Sequence, residues 1–382
     1  MKSGRLIKEF ISSEKAGGIV LIFCTIVSLL LANSPLQSAY LNIWGFEIAG
    51  HHLDHWVNDG LMTIFFLVIG LELEREIYAG EMSEMKNALL PIFGAIGGMI
   101  FPAAIYLLFN YGKASQSGAG IPMATDIAFA LGVLALLGNH VPASLKVFLT
   151  ALAVIDDLGA ILIIAFFYSH GLSFLNLGIA LGIFAVLLVF NRLKVHVLWP
   201  YLVGGVIMWF FMLNSGVHAT ITGVLLAFAI PFGDGGEKSP SYKLQHVLHK
   251  PVAFIILPIF ALANTSIVIQ SNWISDLNSP ASIGIFAGLV LGKPIGVILM
   301  CGLAILLGIC KLPGELTWKY LIGAGILAGI GFTMSIFITL LAFRDPAFIA
   351  AAKITIMISS LLAAFIGLIW LKIFLKPPVL QE

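Results

Sequence analysis

The sequence predicts an all-α polytopic membrane protein of about twelve transmembrane helices, with an inverted repeat and two interrupted helices. Three observations predict it: an apolar composition, a regular succession of apolar runs, and an alternation of basic residues between the connections. Of 382 residues, 60% are hydrophobic and 10% charged, with a mean hydropathy of +1.05. A water-soluble domain carries roughly 25% charged residues, so lipid is the expected solvent and membrane lipid an expected partner. A helical crossing needs about 20 apolar residues. The chain therefore holds about twelve crossings with short connections, and residues 1–382 read as a single transmembrane domain with no room for a soluble one. Neither a cofactor nor a nucleic-acid partner is expected.

Taken in order, the apolar runs cover 16–32, 56–74, 88–109, 119–137, 145–168, 174–190, 198–213, 217–232, 251–268, 282–308, 320–341 and 348–375. Membrane proteins retain excess lysine and arginine on the cytoplasmic side. With the N-terminus inside, the inner segments carry sixteen of the 20 basic residues, from Lys2, Arg5, Lys8 and Lys15 through Lys86 to Lys376. The outer segments carry only Lys113 and Arg344, while Lys293 and Lys353 lie within apolar runs. This distribution places both termini in the cytoplasm. The first run has no small-residue cleavage site after it and reads as a retained helix rather than a signal peptide. In the first outer connection, Leu41-Asn42-Ile43-Trp44-Gly45-Phe46-Glu47-Ile48 alternates around a glycine and predicts a β-hairpin over 41–48. Cys24, Cys301 and Cys310 have no partner at metal-ligand or hairpin spacing and read as free thiols. Glycines at 284, 288, 292 and 296 form a ladder on one helical face, where backbones can approach closely. Segments 88–168 and 282–375 each hold three apolar runs and cross in opposite senses, the geometry of an inverted repeat.

Four charges interrupt these runs: Asp126, Asp156, Asp157 and Lys293. Each costs about 2.5–3.5 kcal/mol at the centre of a spanning helix, so together they demand pairing, hydration or neutralisation. Asp156 and Asp157 sit near mid-depth and project about 100° apart on a helix; one can face a cavity while the other turns toward a neighbour. Lys293, in Leu291-Gly292-Lys293-Pro294, is the natural partner. Asp126 follows Ile121-Pro122-Met123-Ala124-Thr125, which suits an interrupted helix lining a cavity, and Gly329-Ile330-Gly331-Phe332-Thr333 is the matching break. Helices bent but continuous at these points fit the sequence as well. If both are interrupted, Asp126 and Lys293 carry the right signs to offset the helix dipoles at the breaks.

Ala124-Thr125-Asp126, Asp156-Asp157-Leu158-Gly159, Gly292-Lys293-Pro294 and Gly331-Phe332-Thr333-Met334-Ser335 resemble the signature runs of the NhaA family of sodium/proton antiporters. The resemblance extends over essentially the whole chain. Trp56-Val57-Asn58-Asp59-Gly60-Leu61-Met62, Gly70-Leu71-Glu72, Ser215-Gly216-Val217-His218-Ala219-Thr220 and Gln245-His246-Val247-Leu248-His249 match in order and spacing. It implies that Asp156 and Asp157 bind Na+, that Thr125 and Asp126 lie where the broken helices cross, contributing to the ion site, and that Lys293 pairs with the aspartates. It also implies a pH-responsive cluster of Glu72, Arg75, Glu76, His246 and His249 at the cytoplasmic mouth. His218 matches a histidine linked to pH response, and a hydrogen-bonded packing histidine fits that position equally. The family pattern has an acidic residue where this chain has Gln245. The outer hairpin resembles the element through which such proteins form homodimers.

Together these readings predict a non-enzymatic, electrogenic, pH-regulated exchanger of the bacterial inner membrane. It would move Na+ or Li+ against more than one H+ by competition at the aspartate pair. An intramembrane aspartyl protease lacks its glycine-x-glycine-aspartate context here and gives Lys293 no role. A cation channel would conduct without saturating, and a proton-coupled symporter would move its solute and H+ in the same direction.

Overall fold

The structure is a computed structural model that describes residues 2–80, 85–168, 171–269 and 273–375. Lys376 lies outside the described residues, as do the side chains of Lys2, Arg5, Lys8, Lys15 and Lys86. In chain order the elements are α1 (Lys2–Ala32), α2 (Gln37–Trp44), β1 (Glu47–Ile48), β2 (His51–His52), α3 (Leu53–Tyr78) and α4 (Met85–Asn110). They continue with α5 (Ile127–Ala135), α6 (Ala143–Phe167), α7 (Phe174–Arg192), α8 (Trp199–Leu213), α9 (Ile221–Ala229) and α10 (Pro240–Asn264). The last are α11 (Trp273–Leu277), α12 (Pro280–Leu306), α13 (Trp318–Ala328), α14 (Phe332–Ala342) and α15 (Pro346–Phe374). Among the described residues, eight helices are long and apolar enough to cross a membrane, and the bent pair α13–α14 makes a ninth. Two shorter apolar helices, 16–32 and Trp199–Leu213, accompany them. The protein is a multi-pass membrane protein.

The chain forms two compact units. Of the described residues, one unit comprises those up to Leu29, α4 through Ala160, and those from Ile267 on; the other comprises those from Leu30 to Gly80 and from Ile161 to Ser266.

In the first unit the glycine ladder of α12 lies against α4. A Cβ added at Gly296 would fall 2.1 Å from the Gly97 carbonyl oxygen, and one added at Gly97 would fall 2.1 Å from that of Gly296. Higher on the same face, Gly292 meets Pro102, and Gly284 meets the side chains of Tyr106 and Asn110. No side chain fits between these backbones, which is why small residues repeat there. A 3-10 segment, Gln116–Met123, precedes α5, and the chain leaves helical geometry over residues 124–126. A second interruption at 329–331 separates α13 from α14, which meet at a bend of 43°. Two hydrogen bonds join the segments around the breaks: Asp126 N–H donates to the Ile330 carbonyl at 2.6 Å, and Ser335 Oγ donates to that of Ile121 at 2.7 Å. From α15, Ser360 Oγ accepts the Phe332 N–H at 3.1 Å, satisfying a first-turn donor of α14.

In the second unit α3 and α9 pack through Gly70, whose added Cβ would meet Ala227 at 2.6 Å, and Gly223, whose added Cβ would meet the Thr63 carbonyl oxygen at 2.2 Å. Leu67, Leu71, Tyr201, Met208, Leu226 and Leu244 form the core around this contact.

The hairpin is displaced from the predicted 41–48. Leu41–Trp44 belongs to α2, because Tyr40 and Trp44 pack edge-on one helical turn apart and the Tyr40 hydroxyl anchors to the Leu262 carbonyl at 2.9 Å. These tertiary contacts override the local alternation. The strands are Glu47–Ile48 and His51–His52, joined by Ala49 and Gly50 at φ +52° and +83°. Two residues with positive φ are what a tight two-residue hairpin requires.

Replacing Gly296 by alanine forces a methyl group into a backbone carbonyl. The expected result is destabilisation of about 1–3 kcal/mol, read as a lower melting temperature of the detergent-solubilised protein. An unchanged melting temperature would show that α4 and α12 do not make this contact.

Candidate functional site: a buried ion pair at two helix breaks

Asp156 and Asp157 lie midway along α6, and Lys293 follows a π-turn, Gly288–Gly292, within α12. A π-turn absorbs one extra residue and leaves backbone groups outside the regular ladder, a recurrent feature of functional sites. Pro294 immediately after Lys293 removes a further donor. Asp156, Asp157 and Lys293 are all 0% exposed and Asp126 1% exposed.

The Lys293 ammonium pairs with Asp156 through Oδ2 and also donates to Thr125 Oγ1 at 2.8 Å. Thr125 Oγ1 lies 2.8 Å from Asp156 Oδ2 and 3.0 Å from the Ala328 carbonyl, and its single proton serves one of them at a time. Ala328 is the last residue of α13, so its carbonyl belongs to the negative end of that helix. The other carboxylate oxygen, Asp156 Oδ1, is buried without a hydrogen-bond donor. It faces Gly98 of α4, where an added Cβ would stand 3.8 Å away. A buried acceptor left without a donor is costly unless a proton or a cation fills its place. Asp156 Oδ1 thus stands beside an ammonium and a hydroxyl that fix its partner oxygen.

Asp126 performs a different task. Its Oδ1 accepts the Phe129 N–H at 2.9 Å, capping α5. Its Oδ2 accepts the Thr333 N–H at 2.9 Å and the Thr333 hydroxyl at 2.5 Å, reaching the first turn of α14. One carboxylate thus serves the N-termini of both broken helices, where each dipole presents partial positive charge. Thr333 carries two of these bonds. Sequence reasoning quoted it only as part of a motif, and the signal that identifies it is a hydroxyl two residues after a glycine break, in the first turn of the restarted helix.

Glu72, Arg75 and Glu76 share one face of α3, and His246 and His249 lie on α10, in the second unit. The Arg75 guanidinium stands over the Tyr242 ring, 4.6 Å from its centroid, and Nη2 donates to the Gly235 carbonyl at 3.3 Å. Tyr242 also stacks on His246, with ring centroids 6.0 Å apart and planes at 5°. Sequence reading did not select Tyr242, and nothing in its local context marks it. It also passed over Glu74, which is 3% exposed with Oε2 lacking a donor. His218 Nε2 lies 3.1 Å from the Tyr168 carbonyl, a hydrogen bond of the kind a packing histidine makes. Nearby in sequence to the second-unit hairpin, His55 pairs with Asp59 at 3.0 Å.

Spanning helices interrupted around a buried acid–base pair define a membrane transporter rather than a soluble enzyme scaffold. Residues 8–371 match the family described as Na+/H+ antiporter 1. A Na+/H+ antiporter NhaA of Cytophaga hutchinsonii is 64% identical over 382 residues, covering 100% of this chain and 99% of its own length. That of Flavobacterium psychrophilum is 63% identical with complete coverage of both chains, and that of Escherichia coli 47% identical, covering 97% and 99%. The solved structure of a sodium proton antiporter from Methanocaldococcus jannaschii shares the fold, with a TM-score of 0.56 at 15% identity over 97% of this chain and all of the other. The chain belongs to the Na+/H+ antiporter 1 family.

Removing Lys293 leaves Asp156 buried without its counter-charge, a situation that costs about 3–5 kcal/mol. Lys293→Ala should lower the melting temperature sharply, and adding Asp156→Asn should recover much of the loss. If the double variant melts no higher than the single one, the two side chains do not form the pair.

Proposed function

We propose that this protein exchanges Na+ or Li+ for H+ across the bacterial inner membrane, by competition of cation and protons for Asp156 and Asp157. The observation that carries the reading is Asp156 itself, fully buried, with Oδ2 held by Lys293 and Oδ1 without a donor. Hard cations favour oxygen ligands. The available ones are the two carboxylates, the Thr125 hydroxyl, and backbone carbonyls freed at the breaks, such as that of Ala328. A carboxylate oxygen occupied by a proton is a poor cation ligand, so the two cargoes exclude each other. When the site meets the alkaline side it loses protons and takes Na+; when it meets the acidic side, protons displace the ion.

Two adjacent buried carboxylates titrate as one coupled unit, and Lys293 offers another exchangeable proton when its ion pair opens. On this basis more than one proton moves for each monovalent cation, so each cycle carries net charge and the proton gradient drives export. Asp126, with its oxygens on the two helix N-termini, acts mainly by fixing the crossing and its field. The cluster of Glu72, Arg75, Glu76, His246 and His249, with His218, sets the pH response.

We further propose that the chain crosses the membrane twelve times with both termini in the cytoplasm, and that residues 88–168 and 282–375 are inverted repeats. Each segment supports this by running in the same order: a glycine-bearing helix (α4, α12), an interrupted helix (116–135, 318–342) and a long helix (α6, α15). The exposed hairpin at 47–52 is proposed to mediate a homodimer.

In proteoliposomes with an imposed pH gradient, Asp157→Asn should reduce Na+-dependent proton movement to the background of empty liposomes. Full retained exchange would remove Asp157 from the site. Calorimetry on the wild-type protein at fixed alkaline pH should show Na+ uptake accompanied by proton release to the buffer. Uptake with a heat independent of buffer ionisation enthalpy would eliminate competition as the mechanism.

A further inference from the structure

Arg75 stands among the acidic residues of α3, yet it takes part in none of the ion pairs among the described residues. Its guanidinium rests instead on the Tyr242 ring and on the Gly235 carbonyl. Gln245, one turn along the same helix from Tyr242, carries no charge. We propose that Tyr242 is a positioning residue for Arg75, holding the guanidinium of the α3–α10 cluster through its aromatic face in place of a carboxylate. This rests on the reading of that cluster as the pH-responsive element of the exchanger.

An arginine over an aromatic ring is held by the ring quadrupole and by stacking of two planar groups. That hold involves no proton on the ring face, whereas a carboxylate loses its charge when it is protonated. Arg75 accordingly keeps this support when charge changes at the groups around it, unless the change falls on a group that shares the ring. Those groups are Glu72 and Glu76 on α3 and His246 and His249 on α10. Asp234, Glu237 and Lys238 lie in the connecting loop, and Lys243 and Lys250 complete the charges of α10. Of these, His246 shares the Tyr242 ring with Arg75. Protonating it adds a second cation to the ring that holds the guanidinium and weakens the hold. A histidine charge change thereby reaches Arg75 with no ion pair between them, and the Arg75 bond to Gly235 passes it to the 233–238 loop.

The test is the reactivity of Arg75 toward phenylglyoxal in the purified full-length protein, followed by mass spectrometry and normalised to a free arginine derivative at the same pH. Tyr242→Phe keeps the ring and should modify at the wild-type rate. Tyr242→Leu should modify about 3-fold faster and displace the midpoint of the pH–exchange profile by about half a pH unit, the scale of one such contact. Wild-type reactivity in Tyr242→Leu, or an equal rise in Tyr242→Phe, would overturn the proposal. If the wild-type protein exchanges ions with no pH dependence, the regulatory reading of the cluster fails on its own, and the modification rates still decide whether Tyr242 holds Arg75.

Discussion

The pairing of Lys293 with Asp156, both fully buried, sets the terms for the surrounding architecture. Two ions removed from water must recover their solvation from the protein, and the Coulomb attraction between them does this only when further dipoles complete the shell. Thr125 supplies one such dipole, and the Ala328 carbonyl, through Thr125, supplies another. The carbonyl is available only because its helix ends there; in a continuous helix it would be taken by an N–H four residues on. The breaks are therefore part of the ion pair's solvation.

Interrupted helices in turn need close neighbours, since a backbone released in an apolar medium must find partners within the protein. The glycine contacts meet that need. Gly329 approaches the Leu289 carbonyl so closely that an added Cβ would lie 2.5 Å from it, and Gly97 and Gly296 bring α4 and α12 into backbone contact beside the pair. Ser360 and Asp126 satisfy donors at the restarted helices. Small residues, hydroxyl caps and a buried ion pair form one interdependent arrangement.

Much of this arrangement is legible in the sequence because charge in an apolar run is an anomaly that needs no structure to detect. Asp126, Asp156, Asp157 and Lys293 stand out on that ground, and the glycine ladder at 284–296 stands out by its period. What could not be read depends on neighbours distant in sequence. Asp126 stands out by its charge together with Asp156 and Asp157, but that its partners are the Phe129 and Thr333 amides is not visible there, and the Thr333 contact is supplied by a segment 207 positions away. Tyr242 is an ordinary helical aromatic until Arg75 is placed over it. Leu41–Trp44 alternates like a strand, and only the anchorage of Tyr40 to Leu262 makes it helical. Local pattern located the helices and the charges; the division of labour among those charges came from tertiary contacts.

Asp126 holds the first turn of α5 with one oxygen and that of α14 with the other. Such a joint works like a rivet through two crossed struts. Neither restarted helix can slide along its axis without dragging the other or breaking a charge-assisted bond in a medium that offers no replacement. Rearrangement of this unit therefore proceeds by carrying the cross as one stiff body. Any displacement of one restarted helix must therefore be taken up in the segments leading into the cross.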